Sequence, residues 1–379
     1  MERKFYHLDS LFEVAERKGN AAIGAFNVNF YAQALGIIEG LIRADAPGII
    51  QASKGANKFQ GGPERIIEVI RNAIKDSAES VVPLCVHLDH GDKESALKAM
   101  DAGYSSVMVD YSTKKIIENG KERKIKTPLS ENVEKTREVV REAGRRNVSI
   151  EGEIGVLAGQ EEDIQSDVSI YPTPEEVLDY VQSTGIDAVA IACGTCHGPV
   201  KKFVRLEEKL LMETEELFKN QWMIPRFVLH GSSTIPQEMI REFIESGGEI
   251  ENASGVPMEA IKKAIMYGVR KINIDTDLRL GITTTVRRYF LENKGVENES
   301  EVMGLIKKGL DENKKAIDPR DYLGEVMKLH PEYLRNDYWT TGDYKYGEMM
   351  YLVKVRIADH VEKLVHEFGS AGLAEKVKR

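Results

Sequence analysis

Cysteine is scarce: Cys85, Cys193 and Cys196 are the only three in 379 residues. An odd, low count in a chain this long excludes a disulfide framework. Long apolar runs are missing as well. No segment approaches the roughly 20 apolar residues that a membrane span needs. The opening residues, Met1 to Asp9, lack the apolar stretch of a secretory signal, so the expected setting is the cytoplasm. There is no long basic run, and the formal net charge is -9. Nucleic acid and anionic membranes are therefore poor partners on bulk electrostatics. A hydrophobic content of 42% with 30% charged residues suits a soluble globular protein. Length alone allows one large α/β domain or two ordinary ones.

What the chain does have is alternation. Short apolar, β-branched runs recur at 22–28, 48–53, 81–88, 105–110, 148–155, 188–194, 226–231 and 271–276. Each is followed by a stretch with helical character, and one further helix, 257–267, is inserted before the last strand. Eight β-then-α units predict a parallel sheet with helical crossovers, and eight is the number that closes a (β/α)8 TIM barrel. A doubly wound open sheet is the alternative. The barrel is expected over residues 1–292. Residues 293–379 are expected to form a helical C-terminal extension, packed on the barrel or on a second subunit, ending in a long amphipathic helix over 349–368.

Four of the eight histidines, His87, His90, His197 and His230, stand at or just past the end of an apolar strand. His87 and Asp89 share one face while the strand lasts, because side chains alternate along it. His90 then falls at the turn, free to enter the barrel mouth, which leaves His87 as a supporting residue. His90, His197 and His230 are each followed by Gly. Three neutral imidazoles with an open fourth position make a catalytic zinc site, in which the metal acts as a Lewis acid. The other reading is three satisfied core histidines. Asp89 beside them is placed for acid/base work. Cys193 to His197 also matches the c-type haem attachment pattern, but the match is short and haem attachment goes with export. Asp110, Glu151, Glu153 and Asp275 lie at the same level. Glu161, Glu162 and Asp163 follow a Gly-rich stretch, so a mobile loop there can bring a base to the metal. Gly231 to Thr234 and Asn273 to Thr276 follow the last two strands, where barrels often bind phosphate through backbone N–H groups and a helix N-terminus.

These residues carry a resemblance. Val86-His87-Leu88-Asp89-His90-Gly91, Glu151-Gly152-Glu153-Ile154-Gly155, His197-Gly198-Pro199, Leu229-His230-Gly231-Ser232-Ser233 and Lys271-Ile272-Asn273-Ile274-Asp275-Thr276-Asp277 agree in order and spacing with one family. Over about residues 20 to 292 the sequence resembles class II, metal-dependent fructose-1,6-bisphosphate aldolase. The resemblance implies a lyase that cleaves fructose 1,6-bisphosphate into dihydroxyacetone phosphate and glyceraldehyde 3-phosphate through a zinc-stabilised enediolate. It implies that His90, His197 and His230 hold zinc, that Asp110 and Glu153 are ligands of a second or alternative metal position, and that a second divalent metal or a monovalent cation accompanies the zinc. Asp89 resembles the acid/base on the C4 hydroxyl, and Glu161 the loop carboxylate that exchanges a proton with dihydroxyacetone phosphate. Gly198, Gly231, Ser232, Ser233, Asn273, Ile274, Asp275 and Thr276 resemble the dihydroxyacetone-phosphate site. Asn27 and Ser53 lie near the other end of the substrate, and Lys201 follows the His-Gly motif. Arg356, with Lys363 as its rival, is the candidate for the distal-phosphate cation that the family borrows across a homodimer. Tagatose 1,6-bisphosphate is the alternative substrate, and a zinc-dependent barrel hydrolase the alternative enzyme.

Overall fold

The computed structural model describes residues 5–77, 82–118, 121–161, 164–166, 169–198 and 205–378; at 115, 118, 121–124, 158–161, 164–166 and 197 it describes the backbone alone. Eight strands form the sheet: β1 (Ile23–Asn27), β2 (Gly48–Ser53), β3 (Leu84–Gly91), β4 (Ser106–Val109), β5 (Ser149–Ile154), β6 (Ala188–Ile191), β7 (Phe227–Leu229) and β8 (Val269–Ile274). Each pairs in parallel with its sequence neighbour, and β8 pairs with β1, so the sheet closes into the expected barrel. The open-sheet alternative falls on that last pairing. The outward face of the strands carries Val, Ile and Leu against the surrounding helices. The helix starts follow local chemistry. Thr173 accepts from Glu176 N–H while Glu176 reaches back, a capping box, and Asp92 caps the helix Lys93–Ala102 in the same way with Ser95.

The barrel interior is layered. At the bottom, Ile23, Ala25, Ile49, Cys85, Met108, Ala188, Ala190 and Val228 form an apolar floor. A helix not expected from the alternation, Leu8–Lys18, closes it from below with Leu8, Leu11, Phe12, Val14 and Ala15. Above the floor the inward positions turn polar, and the site begins there.

The tail contributes the helices Glu301–Glu312, Arg320–Leu329, Glu332–Arg335 and Tyr344–Glu367. The last packs on the helix Tyr31–Arg43 through Gly36 and Gly40. A Cβ on Gly40 would sit 2.5 Å from the carbonyl oxygen of Ala358, and one on Gly36 2.7 Å from that of Lys354. Small residues four apart thus let two backbones meet. Among the described residues no helix is long and apolar enough to cross a membrane.

Candidate active site

Residues two apart on a strand point the same way. The inward positions above the floor are therefore Asn27 on β1, Gln51 on β2, His87 and Asp89 on β3, Glu151 and Glu153 on β5, and Lys271 and Asn273 on β8. His230 and Asp110 follow β7 and β4. His90 breaks the alternation. Between β3 and β4 the register runs Leu88↔Val107 and then Gly91↔Val109, so β3 holds one extra residue, and His90 sits in that bulge at φ 51. Bulges re-aim side chains at sites. Here the extra residue lets Asp89 and His90, adjacent in sequence, both enter the mouth.

A buried chain of hydrogen bonds supports the mouth. Glu151 and Lys271 are fully buried and paired at 2.9 Å. The other Glu151 oxygen lies 2.8 Å from His230 Nε2. Lys271 Nζ also lies 3.2 Å from His87 Nε2, and His87 Nδ1 lies 2.8 Å from Ser106 Oγ. Burial pushes the Glu151 carboxyl up, but Lys271, His230 and His87 outweigh it and hold it well below the usual range. An ionised carboxylate only accepts and an ammonium only donates. His230 therefore carries its proton on Nε2 and presents the Nδ1 lone pair to the mouth. His87 accepts at Nε2 and carries its proton on Nδ1. Burial and the Lys271 charge push the pKa of His87 well below its ordinary value. Burial also lowers that of His230.

At the mouth this chain ends in a pair of rings. His90 Nε2 and His230 Nδ1 are 2.9 Å apart, with the rings edge to face. Asp89, His90 and His230 bring donor atoms within 4.8 Å of one another, and so do His90, Asp110 and Glu153. Two nitrogens bound to one tetrahedral zinc at 2.0–2.1 Å stand roughly 3.3 Å apart, so a small opening of the pair seats the ion. Neutral imidazoles backed by carboxylates are the donor set that zinc takes, and the residues present fit a metal. His90 Nδ1 lies 3.6 Å from Asp110 and 3.8 Å from Glu153. Burial raises Asp110, but His90 and Ser112 hold it at about 2.

Asp89 is 1% exposed and ringed by amides. Asn27 Nδ2 donates to it at 3.1 Å, Gln51 Nε2 at 3.2 Å and Asn273 Nδ2 at 3.4 Å. Asn27 Oδ1 in turn accepts from Gln51 at 2.7 Å. Asn273 Oδ1 is buried with no hydrogen-bond partner among the described residues, at the level of the two rings. Ser53 pairs in register with Asp89 and caps the helix Lys54–Gln60.

The remaining candidates divide. Gly231 (φ 57) and Gly198 (φ 85) take backbone conformations that favour glycine. The Ser232 hydroxyl contacts the carbonyls of Leu229 and Asn273, which leaves its N–H as its offer to a ligand. Ser233 Oγ accepts from the N–H groups of Asp275 and Thr276 and ties its loop to the following helix. The Ile274 side chain packs in the outer layer, so only its main chain faces the site. Asp275 bonds Arg279 at 2.6 Å, and burial raises it to about 6 despite that partner. His197 and Glu161 are described by backbone only, in a small sheet where His197 pairs with Gly159 and Glu161 with Ile164. Glu162, Asp163 and Lys201 lie outside the described residues. Arg356 pairs with Glu242 and packs beside Gly281, and Lys363 is exposed. Sequence reasoning passed over Gln51 and Lys271. Their signal is parity: each is a polar residue two positions from a site residue on the same strand.

The chain is similar to known proteins over most of its length. A sequence model of the family described as fructose-bisphosphate aldolase class-II matches residues 7–372. The chain is 36% identical over 309 residues to the fructose-bisphosphate aldolase of Giardia intestinalis, covering 81% of this chain and 84% of that one. It is 35% identical over 318 residues to that of Thermus caldophilus, covering 83% and 90%. Among solved structures, the YdjI aldolase of Escherichia coli K12 superposes with a TM-score of 0.62 at 20% identity, over 98% of this chain and 99% of that one. This last likeness is one of fold.

Proposed function

The chain belongs to the class II fructose-bisphosphate aldolase family, a family of lyases, and from that premise we propose that it reversibly cleaves fructose 1,6-bisphosphate into dihydroxyacetone phosphate and glyceraldehyde 3-phosphate. The observation that carries this reading is Asp89. It is a buried carboxylate held by three amides directly beside the His90–His230 pair. A general base must be held in place beside the group it deprotonates, and the three amides hold Asp89 next to the ring pair.

His90 and His230, with His197, are the residues to hold a divalent ion, zinc by donor type, while Asp110 and Glu153 border a second or alternative position. The bound ion supplies Lewis acidity toward the substrate's ketone oxygen. Asn27, Gln51 and Asn273 fix the orientation of Asp89. Asp89 accepts the C4 hydroxyl proton as the C3–C4 bond breaks, and the electron pair stays on C3 of the dihydroxyacetone-phosphate half. Glu161 returns a proton to that carbon. The loop Gly231 to Ser233 serves the phosphate on that half through its main chain, with Ser233 Oγ holding the N–H groups of Asp275 and Thr276 beside it. Asn27 and Ser53 serve the other half. A cytoplasmic homodimer belongs to the same reading. A barrel hydrolase does not, because the family is a family of lyases.

Stereochemistry at C4 separates fructose from tagatose bisphosphate. Initial cleavage rates on both sugars, read by trapping the triose products, are expected to favour the fructose substrate. A higher kcat/KM on tagatose 1,6-bisphosphate would overturn that choice while leaving the aldolase reaction in place.

A further inference from the structure

The loop after β7 is held in an unusual backbone conformation. Ile235 lies at φ 42, a genuine outlier for a β-branched residue. Such a conformation persists only where its surroundings over-determine it. The restraint is a single carboxylate from the first turn of the helix Thr276–Glu292. Asp277 is fully buried. Its Oδ1 accepts the Ile235 N–H at 2.6 Å, and its Oδ2 accepts the Thr234 N–H at 2.9 Å and the Thr234 hydroxyl at 2.8 Å. The loop returns the contact, since Ser233 Oγ accepts the N–H groups of Asp275 and Thr276. Gly255 backs it closely: a Cβ there would lie 2.1 Å from the Thr234 carbonyl. A fourth donor reaches Asp277 from the tail. His360, on the helix Tyr344–Glu367 and nearly buried, stands with Nε2 3.4 Å from Asp277 Oδ2.

A negative charge behind an anion site would repel the anion unless its oxygens were already engaged. Here two backbone N–H groups, a hydroxyl and an imidazole engage them, so the charge is directed into fixing the loop. We propose that Asp277 is the positioning residue of the Gly231–Thr234 phosphate loop, and that His360 joins the C-terminal extension to it. Asp277 touches no reacting atom. It sets where the loop's remaining N–H groups point, and the tail helix sets Asp277.

The inference rests on the proposed function for the word phosphate but not for the restraint itself, and the test separates the two. In Asp277→Asn one acceptor becomes an amide donor facing the Thr234 or Ile235 N–H. Amide hydrogen exchange of Thr234 and Ile235 should then rise at least tenfold. Inorganic phosphate, titrated by calorimetry into the metal-loaded protein, should bind about tenfold more weakly. KM for fructose 1,6-bisphosphate should rise about as much, with kcat within threefold of the parent and metal content unchanged. His360→Leu should give a smaller change of the same kind, about threefold, and His360→Gln, which keeps a donor, should restore most of it. Unchanged exchange at both amides in Asp277→Asn overturns the restraint. Raised exchange with unaltered phosphate affinity overturns its link to the anion site. If the parent enzyme cleaves neither sugar bisphosphate, the proposed function fails, and the exchange rates and inorganic phosphate binding still decide this inference. If Asp277→Asn does not fold, His360→Leu and His360→Gln carry the test, and equal exchange and phosphate affinity in the two would overturn it.

Discussion

Lys271→Met is expected to lower folding stability by about 3–5 kcal/mol, the usual result of removing one partner from a buried ion pair. The substitution leaves Glu151 ionised, or forces it to take up a proton, at a fully buried position inside the barrel. It also removes the donor that His87 Nε2 faces. The double variant Lys271→Met, Glu151→Gln should recover much of the loss, because no uncompensated charge then remains. Urea unfolding of the two single variants and the double gives the coupling directly. A second readout is metal affinity. With Glu151 no longer fixed as an acceptor, His230 loses its enforced tautomer, and zinc should bind 10–100-fold more weakly by chelator competition. An unfolding midpoint for Lys271→Met equal to that of the parent would show that the pair is solvated and that the tautomer argument for His230 is wrong.

The second large effect belongs to Asp89. Asp89→Ala is expected to reduce kcat by about 10²–10⁴-fold, the range for a lost general acid/base, with metal content and fold retained. The variant leaves the amides of Asn27, Gln51 and Asn273 without their shared acceptor. A stability loss of about 1–3 kcal/mol is therefore also expected, and assays belong well below the unfolding temperature. Asp89 also stands within ligand distance of the ring pair. Elemental analysis of the variant decides between the two roles. Metal lost along with turnover would make Asp89 a ligand rather than the proton-transfer group.

The barrel was legible because a parallel sheet buries both faces of its strands. Runs such as Ile49-Ile50 or Val107-Met108-Val109 therefore stand out against the amphipathic stretches that follow. Leu8–Lys18 carries a helical pattern of apolar residues but lies before the first strand, outside the alternation that organised the reading. The antiparallel strands Thr113–Glu118 and Lys121–Lys126, rich in Lys and Glu, have the composition of a solvated loop. Within the site, His90 and His230 were visible because each ends a strand before a glycine. Lys271 was not. A lysine in a strand reads as an edge or surface residue until its partner, Glu151, is known to lie opposite it across 120 residues of sequence. The bulge at His90 depends on the register of β3 against β4, which no local pattern encodes. Asp277 is equally quiet, since an acid in the first turn of a helix looks like ordinary dipole compensation.

The proposed reaction is a metal-dependent cleavage of fructose 1,6-bisphosphate at the His90–Asp89–His230 mouth. The measurement that tests it most directly is triose phosphate release from that sugar by the purified protein, before and after exhaustive chelation and then with zinc restored. Cleavage should disappear with the metal and return with zinc, and borohydride should trap nothing, since the proposed reaction uses no lysine Schiff base. Full activity in the stripped protein, or covalent trapping by borohydride, would contradict it.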